Sequence, residues 1–323
     1  MMKAYYSLDE ISRPLDRPTL TIGNFDGVHL GHQALFRKVK ELAASVSGDS
    51  VALTFEPHPL KVLRPDHPLL RICTLRHKIE LIDRAGIGHL IILPFNKELA
   101  ETSASDFVHE IFYRRLGIKN LVVGYDYALG KGREGDILFL RKAGVELGFA
   151  VHVLEPVVIE GVVVSSTKVR ELVAAGDMRA VSRLLGRYYQ IRGVVRPGRR
   201  RGGPLLGFPT ANLRIDKGDL CPKSGVYVIQ AIIGGYCYGG VLNIGRNPTF
   251  GDQEFGAEAH LFDFDEDIYG KEIKLNLIER LRNENRFSGP DELILQIKKD
   301  IHTARLMLAQ EKGLYEACME GIK

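Results

Sequence analysis

Gly23-Asn24-Phe25-Asp26-Gly27-Val28-His29-Leu30-Gly31-His32-Gln33-Ala34-Leu35 is the stretch whose reading decides the fold. It lies where a short apolar run, Thr19 to Phe25, gives way to a helical pattern. Strand, glycine turn and helix follow one another directly. A helix N-terminus presents unpaired N–H groups and the positive end of the helix dipole, and both favour an anion. Gly27 and Gly31 remove side chains where backbone comes close to a ligand. His29 and His32 are three residues apart with Gly31 between them, so both imidazoles reach one anion. Singly, a histidine is a surface or core residue and a glycine is a turn. Together, Gly23, Phe25, Asp26, Gly27, His29, Gly31 and His32 at a strand-to-helix junction make a phosphate site the better reading.

Outward from this turn, apolar runs near 19–25, 51–55, 89–95, 120–125 and 150–155 alternate with helical patterns. Leu35, Val39, Leu42 and Val46 recur at helical spacing after His32, and Ser103 to Asp106 reads as a cap before Phe107, Ile111 and Leu116. Alternating strands and helices with near-continuous apolar strands predict a Rossmann-like α/β domain, its parallel sheet covered on both faces. Ligands bind such sheets outside the C-terminal strand ends, where Gly23–His32 falls. After about Gly186 the texture changes. Tyr188 to Arg282 carries short apolar runs and many glycines without a helical period, which predicts an antiparallel β-barrel or sandwich. A C-terminal helix follows, with Pro290 near its start and Leu293, Ile297, Ile301, Ala304 and Met307 on one stripe. The expected domains are 1–185 and 186–323.

Composition narrows the class. A chain of 323 residues, 45% hydrophobic, is comfortable for two domains. The net charge of +4 is too small to argue for nucleic acid. Cys73, Cys221, Cys237 and Cys318 form no CxxC pair and read as reduced thiols of a cytoplasmic protein. No apolar run approaches a membrane span, and the N-terminus lacks the apolar core of a signal peptide.

Further segments carry chemistry. Phe55-Glu56-Pro57-His58-Pro59 follows the second strand as a rigid turn. After the fourth comes Gly124-Tyr125-Asp126-Tyr127, whose tyrosines suit a stacked base or core packing equally. Ser165, Ser166 and Thr167 cap a helix, and Arg170, one turn in, can grip a phosphate bidentately. In the second domain Gly207-Phe208-Pro209-Thr210-Ala211-Asn212 follows a glycine- and arginine-rich loop. Thr210 and Asn212 share a face of an extended segment, where two neutral oxygens complete the shell of a Mg²⁺ held by phosphates. Glu258, His260 and Phe262 alternate onto one strand face, and Asp263, Asp265 and Asp267 read as a solvated turn.

These motifs resemble, in order, those of the bacterial bifunctional riboflavin kinase/FMN adenylyltransferases (FAD synthetases). His29–His32 looks like the HxGH signature of nucleotidylyltransferases, and the Phe25-Asp26-Gly27 lead-in is the form seen in FAD synthetases. Ser165–Arg170 resembles the SSTxxR phosphate clamp, Phe55–Pro59 the FxPHP segment, and Pro209–Asn212 the PTAN motif of riboflavin kinase. Asn243–Phe250 resembles NxGxNPTF, and Arg282–Phe287 loosely resembles a segment near the flavin. Tyr127 and Ala128 depart from the more usual Phe and Arg.

The resemblance implies ATP with Mg²⁺, and riboflavin, FMN and FAD as substrates and products. It implies His29 and His32 at the transferred phosphate. The nucleotide contacts would be Gly23, Phe25, Asp26, Gly27, Gly31, Asp126, Ser165, Ser166, Thr167, Arg170, Gly207, Thr210 and Asn212. The flavin contacts would be Pro57, His58, Tyr125, Asn243, Arg282 and Phe287, with Glu258 as the kinase base and Thr210 and Asn212 on the metal. The expected partners are small molecules, with neither nucleic acid nor membrane, in a monomer or weak homo-oligomer. Two rivals stay open: a single-activity nucleotidylyltransferase with a merely binding barrel, and an RNA-binding protein using Arg199–Arg201.

Overall fold

The computed structural model describes residues 1–66, 69–197, 208–246 and 255–311. Gly207, Arg199–Arg201, the Asn247–Phe250 half of the NxGxNPTF run and Cys318 lie outside the described residues. By internal packing the chain divides into two compact units, Met1–Ser166 and Thr167–Lys323.

In the first unit, β1 (Lys3–Tyr5), β2 (Thr19–Ile22), β3 (Ser50–Glu56), β4 (His89–Pro94), β5 (Asn120–Gly124) and β6 (Ala150–Leu154) form one sheet in the order β1-β4-β3-β2-β5-β6. Every neighbouring pair is parallel. The expected runs are thus strands, with β1 added at one edge by a stretch too short and too polar to signal itself. Strand order reverses between β2 and β5. That switch point opens a crevice at the strands' C-terminal ends.

Successive strand residues supply two cores, as a sheet covered on both faces requires. Leu20, Ile22, Val51 and Leu53 face α5 (Ala104–Phe107), its π-helical continuation Val108–Leu116, and α6 (Ile137–Leu147). Ala52, Leu90, Ile92 and Val122 face α1 (Leu30–Ser45) and α3 (Leu75–Arg84). Ser103 caps α5 as expected, its Oγ accepting from the Asp106 N–H at 3.0 Å. On α1 the fully buried line is Phe36, Val39 and Ala43. Leu35 and Leu42 flank it half-buried and Val46 is already the C-cap, so the helix sits rotated from the stripe read in the sequence.

The first unit also holds a two-stranded sheet of β7 (Val158–Ile159) and β8 (Val162–Val163), and a short helix α4 (Lys97–Glu101) before α5. In the second unit, β9 (Tyr189–Arg196), β10 (Ala211–Arg214), β11 (Gly225–Ile233), β12 (Tyr236–Arg246), β13 (Phe255–Leu261) and β14 (Glu272–Arg282) close an antiparallel barrel in the order β10-β13-β12-β11-β14-β9. Tyr227, Ile229, Ala231, Leu275 and Leu277 fill the interior, each fully buried. Val226, Val228, Val241, Phe262 and Ile278 face outward, where the C-terminal helix (Pro290–Gln310) lays Ile301, Ala304, Met307 and Leu308 on them. The packing division falls at 166/167 rather than 185/186 because the helices between pack with the barrel. These are α7 (Ser166–Ala175) and α8 (Met178–Leu185). The Val173 carbonyl of α7 accepts from the Lys223 N–H at 3.3 Å, and α8 contacts β9 and β14. The C-terminal helix is α9 in chain order.

Histidines on both sides of the parallel sheet make the first unit's stability depend on pH. His89 opens β4, stacked on Tyr5 at 5.9 Å, with Nδ1 3.2 Å from the Tyr5 hydroxyl and Nε2 3.5 Å from Asp49 Oδ1. Burial lowers its pKa below 6.5, with the charge of Asp49 opposing. Burial lowers His152 on β6 in the same direction. As pH falls below 6.5 the unfolded histidines bind protons before the folded ones do, so stability is lost on acidification. The urea midpoint of the first unit is therefore expected to be lower near pH ~5.5 than near pH ~7.5, and His89→Gln to shrink that difference. Equal wild-type midpoints at the two pH values would refute the assignment.

Candidate functional site

The first site is built on the turn after β2. Phe25 (φ +48°), Gly27 (φ +82°) and Val28 (φ +41°) all adopt left-handed backbone, and for Val28 that conformation is costly. Buried Asp26 holds the turn, its carboxylate accepting from the Ile72 N–H at 3.0 and 3.1 Å and the Cys73 N–H at 3.3 Å. The Gly27 N–H donates to Cys73 Sγ at 3.3 Å, and a Cβ on Gly27 would lie 2.8 Å from Ile72 Cγ2. Asp26 thus acts on the loop; its backbone carbonyl also accepts from Ser166 Oγ at 2.9 Å.

The turn delivers both histidines to the N-terminus of α1. His29 is the N-cap, buried, and its Nδ1 accepts from the His32 N–H at 3.4 Å, which leaves the proton on Nε2. The imidazoles stack at 3.6 Å, and the Phe25 ring stands edge-on to His32 at 5.3 Å. A Cβ on Gly31 would lie 3.1 Å from the His29 ring, so the glycine admits this fold-back. The first turn of α1 carries no acidic side chain. The result is a helix N-terminus flanked by two imidazoles, an anion site by charge and by donors.

The same edge of the sheet carries the loops after β3 and β5, and β2 lies between those strands. Pro57 and His58 follow β3. His58 caps α2 (Pro59–Leu63), its Nδ1 accepting from the Leu60 N–H at 3.2 Å, so the expected irregular turn is in part a short helix. Tyr125 and Asp126 follow β5. Tyr125 is 47% exposed and open to a ligand. Tyr127 packs against the core under the sheet, and burial raises its phenol pKa; core packing wins for this residue. Ser165 and Ser166 belong to the first unit; exposed Thr167 and half-buried Arg170 lie on α7 in the second.

The second site is a cleft of about 350 Å³ on the outer face of the barrel, between β12, β13 and α9. Thr210, Asn243, Glu258, Arg282 and Phe287 all line it, so five of the expected residues meet in one place. The register explains this. Glu258 lies opposite Asn212 on β10 and opposite Asn243 on β12, so the three side chains stand in a row on one face. Asn212, at the β10 end of the row, is buried, its Nδ2 donating to the Thr210 carbonyl at 3.3 Å. A hydroxyl, a carboxamide and a carboxylate are hard oxygen donors and suit Mg²⁺. Phe208, Val226, Val241, Leu293 and Ile297 make the apolar walls. His260 also lines the cleft; its ring N–H donates to the Pro209 carbonyl at 2.9 Å, a structural bond. Asp263 is exposed and pairs with Arg305 at 2.8 Å.

One charged residue of the cleft lies outside every motif read in the sequence. Buried Asp300 on α9 binds Arg282 bidentately, Nε at 3.0 Å and Nη2 at 2.8 Å, and accepts from Gln296 Nε2 at 2.8 Å. This clamp fixes the start of the Arg282–Phe287 loop, where the Arg282 guanidinium lies 5.8 Å from the Phe287 ring. The signal was there: Asp300 falls on the helical stripe of Ile297 and Ala304, an acid among apolar neighbours. Glu284 lines the cleft from the same loop, seated against Gly245, where any Cβ would overlap its carboxylate.

Comparison with known proteins agrees with both halves. A family model described as FAD synthetase matches residues 13–168, and one described as riboflavin kinase matches residues 185–308. The bifunctional riboflavin kinase/FMN adenylyltransferase of Escherichia coli (strain K12) is 36% identical over 306 residues, 94% of this chain and 97% of that protein. That of Pseudomonas fluorescens is 38% identical over 290 residues, 90% and 92% of the two. A solved structure described as a macrolide-efflux protein from Streptococcus pneumoniae superposes with a TM-score of 0.85 at 30% identity, covering 94% of this chain and 98% of that one. Among the described residues no helix is long and apolar enough to cross a membrane. Two matched families in chain order, and relatives that carry both activities in their names along nearly their whole length, establish that this chain belongs to the bifunctional riboflavin kinase/FMN adenylyltransferase family.

Proposed function

We propose that this protein makes FAD from riboflavin in two steps, with phosphorylation in residues 186–323 and adenylylation in residues 1–185. The observation that supports the kinase site best is the convergence of Thr210, Asn243, Glu258, Arg282 and Phe287 on one cleft. Riboflavin enters with its ring between the apolar walls and Phe287, and its ribityl chain runs toward Glu258. Glu258 accepts the proton of the terminal hydroxyl as that oxygen attacks the γ-phosphorus of ATP, and ADP leaves. Thr210 and Asn212 would hold the Mg²⁺ that accompanies ATP, and the ion would supply neutralisation of phosphate charge. Arg282, clamped by Asp300, keeps the flavin loop in place.

Adenylylation needs no protein nucleophile. A phosphate oxygen of FMN attacks the α-phosphorus of ATP and pyrophosphate leaves, so positioning and charge stabilisation carry the catalysis. His29 Nε2–H, His32 and the first-turn N–H groups of α1 meet the developing charge. Gly23, Gly27 and Gly31 let the backbone approach it. Ser165, Ser166, Thr167 and Arg170 hold the leaving pyrophosphate. Asp126 serves the nucleotide; Pro57, His58 and Tyr125 border the flavin. Small molecules are the partners of both steps, and the protein works in the cytoplasm as a monomer or weak homo-oligomer.

Glu258→Ala is expected to slow FMN formation from riboflavin about 10²–10⁴-fold, the usual worth of a general base, while added FMN is still converted to FAD. Chromatographic separation of the flavins reads both rates; if phosphorylation survives, another group is the base. His29→Ala should do the reverse, with FMN accumulating and FAD formation stopping. Undiminished FAD output from that variant would remove the histidine pair from the chemistry.

A further inference from the structure

Lys78 is a buried cation that neither reaction scheme uses. It is 5% exposed, on the stripe of α3 that also carries Leu81 and Ile82. Its Nζ donates to the Asn24 carbonyl at 3.0 Å and to Thr54 Oγ1 at 3.3 Å. The Thr54 hydroxyl in turn donates to the same Asn24 carbonyl at 3.1 Å. Burial lowers the pKa of the ammonium, while the charges of Cys73, Glu56 and Asp26 oppose that shift. Burying an ammonium is costly, and Coulomb attraction offsets the cost only in close, well-made pairs. Among the described residues no carboxylate makes such a pair with Lys78. An apolar side chain of similar size would pack there at less cost, so the charge points to a task other than stability.

We propose that Lys78 is a positioning residue for the histidine pair, acting through the Asn24 carbonyl. The inference rests on the reading of His29 and His32 as the adenylylation groups. The turn after β2 is tied to the α3 segment twice. The Asp26 carboxylate holds the Ile72 and Cys73 N–H groups, and the Asn24 carbonyl is held by Lys78. Phe25 lies between these ties, in left-handed backbone at φ +48°, and its ring is the wall against which His32 stands. Releasing the Asn24 carbonyl frees Phe25 to relax to an ordinary φ. The ring then leaves the edge of His32, and the His29–His32 stack loses its support. Two donors meet on one carbonyl, and the ammonium binds both that carbonyl and the second donor's oxygen. A methionine fills the same volume and offers none.

The test uses Lys78→Met and Thr54→Val in the full-length chain. Each is assayed for FAD formation from added FMN and for FMN formation from riboflavin, with a thermal melt of each preparation. For Lys78→Met, kcat of adenylylation is expected to fall roughly 10–100-fold, the scale of a misplaced catalytic group, with little change in KM for ATP. Its melting midpoint should stay level or rise, and phosphorylation of riboflavin should be unchanged. Thr54→Val should lose kcat in the same sense but less. Wild-type kcat in Lys78→Met overturns the proposal, and so does a loss that merely tracks the unfolded fraction. Should Lys78→Met fail to fold, wild-type kcat in Thr54→Val overturns it alone. The underlying reading fails separately: His29→Ala would then leave FAD formation intact whatever Lys78 does.

Discussion

A buried carboxylate holding three backbone N–H contacts is the constraint on which the turn after β2 depends. Asp26 is 3% exposed, and its bonds to Ile72 and Cys73 close over a turn with three left-handed residues in four. Left-handed Phe25 and Val28 each cost of order 1–3 kcal/mol and persist only where surroundings over-determine them. Here the surroundings are the Asp26 tether, the Lys78 and Thr54 donors on Asn24, and Gly27 seated against Ile72. The strain places two imidazoles over the first turn of α1, where the backbone already offers positive potential. Donors held in this way are pre-organised for an anion.

The second unit solves a similar problem differently. A closed barrel has no free edges, so its register is rigid, and rigid register aligns Asn212, Glu258 and Asn243 across three strands. The cleft is completed by a loop, and a loop alone is a poor template. The Asp300–Arg282 pair ties it to α9, and the same helix anchors itself on the barrel through Ile301, Ala304 and Met307. Both units therefore use a buried charge to locate a loop. In both, the charged partner comes from a helix otherwise occupied with packing.

Much of this was legible beforehand, for physical reasons that differ by element. The sheet strands announced themselves because a strand buried on both faces is apolar along most of its length, as Val51–Leu53 and Leu90–Leu93 are. The stripe on α9 was legible because one face of a long helix meets one surface. The stripe on α1 was off by a rotation, because Phe36 and Ala43 flank Val39 as closely as Leu35 and Leu42 do and only packing chooses among them. β1 was missed because three residues at a sheet edge carry no period. Lys78 and Asp300 were passed over because a charge on a helix ordinarily marks a solvated face. Both lie on apolar stripes, and that position was the available clue.

Residue order alone determined the fold class and the succession of two chemistries, because turn glycines, capping hydroxyls and apolar periods act over a few neighbouring residues. Tertiary structure decided which of those groups meet. Thr210, Asn243, Glu258 and Arg282 are far apart in the chain and converge only through barrel closure. It also decided that Tyr127 packs while Tyr125 stays open, and that Asp26 faces backbone N–H groups. The orientation of a side chain is set by what lies across from it, and a local pattern does not contain that neighbour.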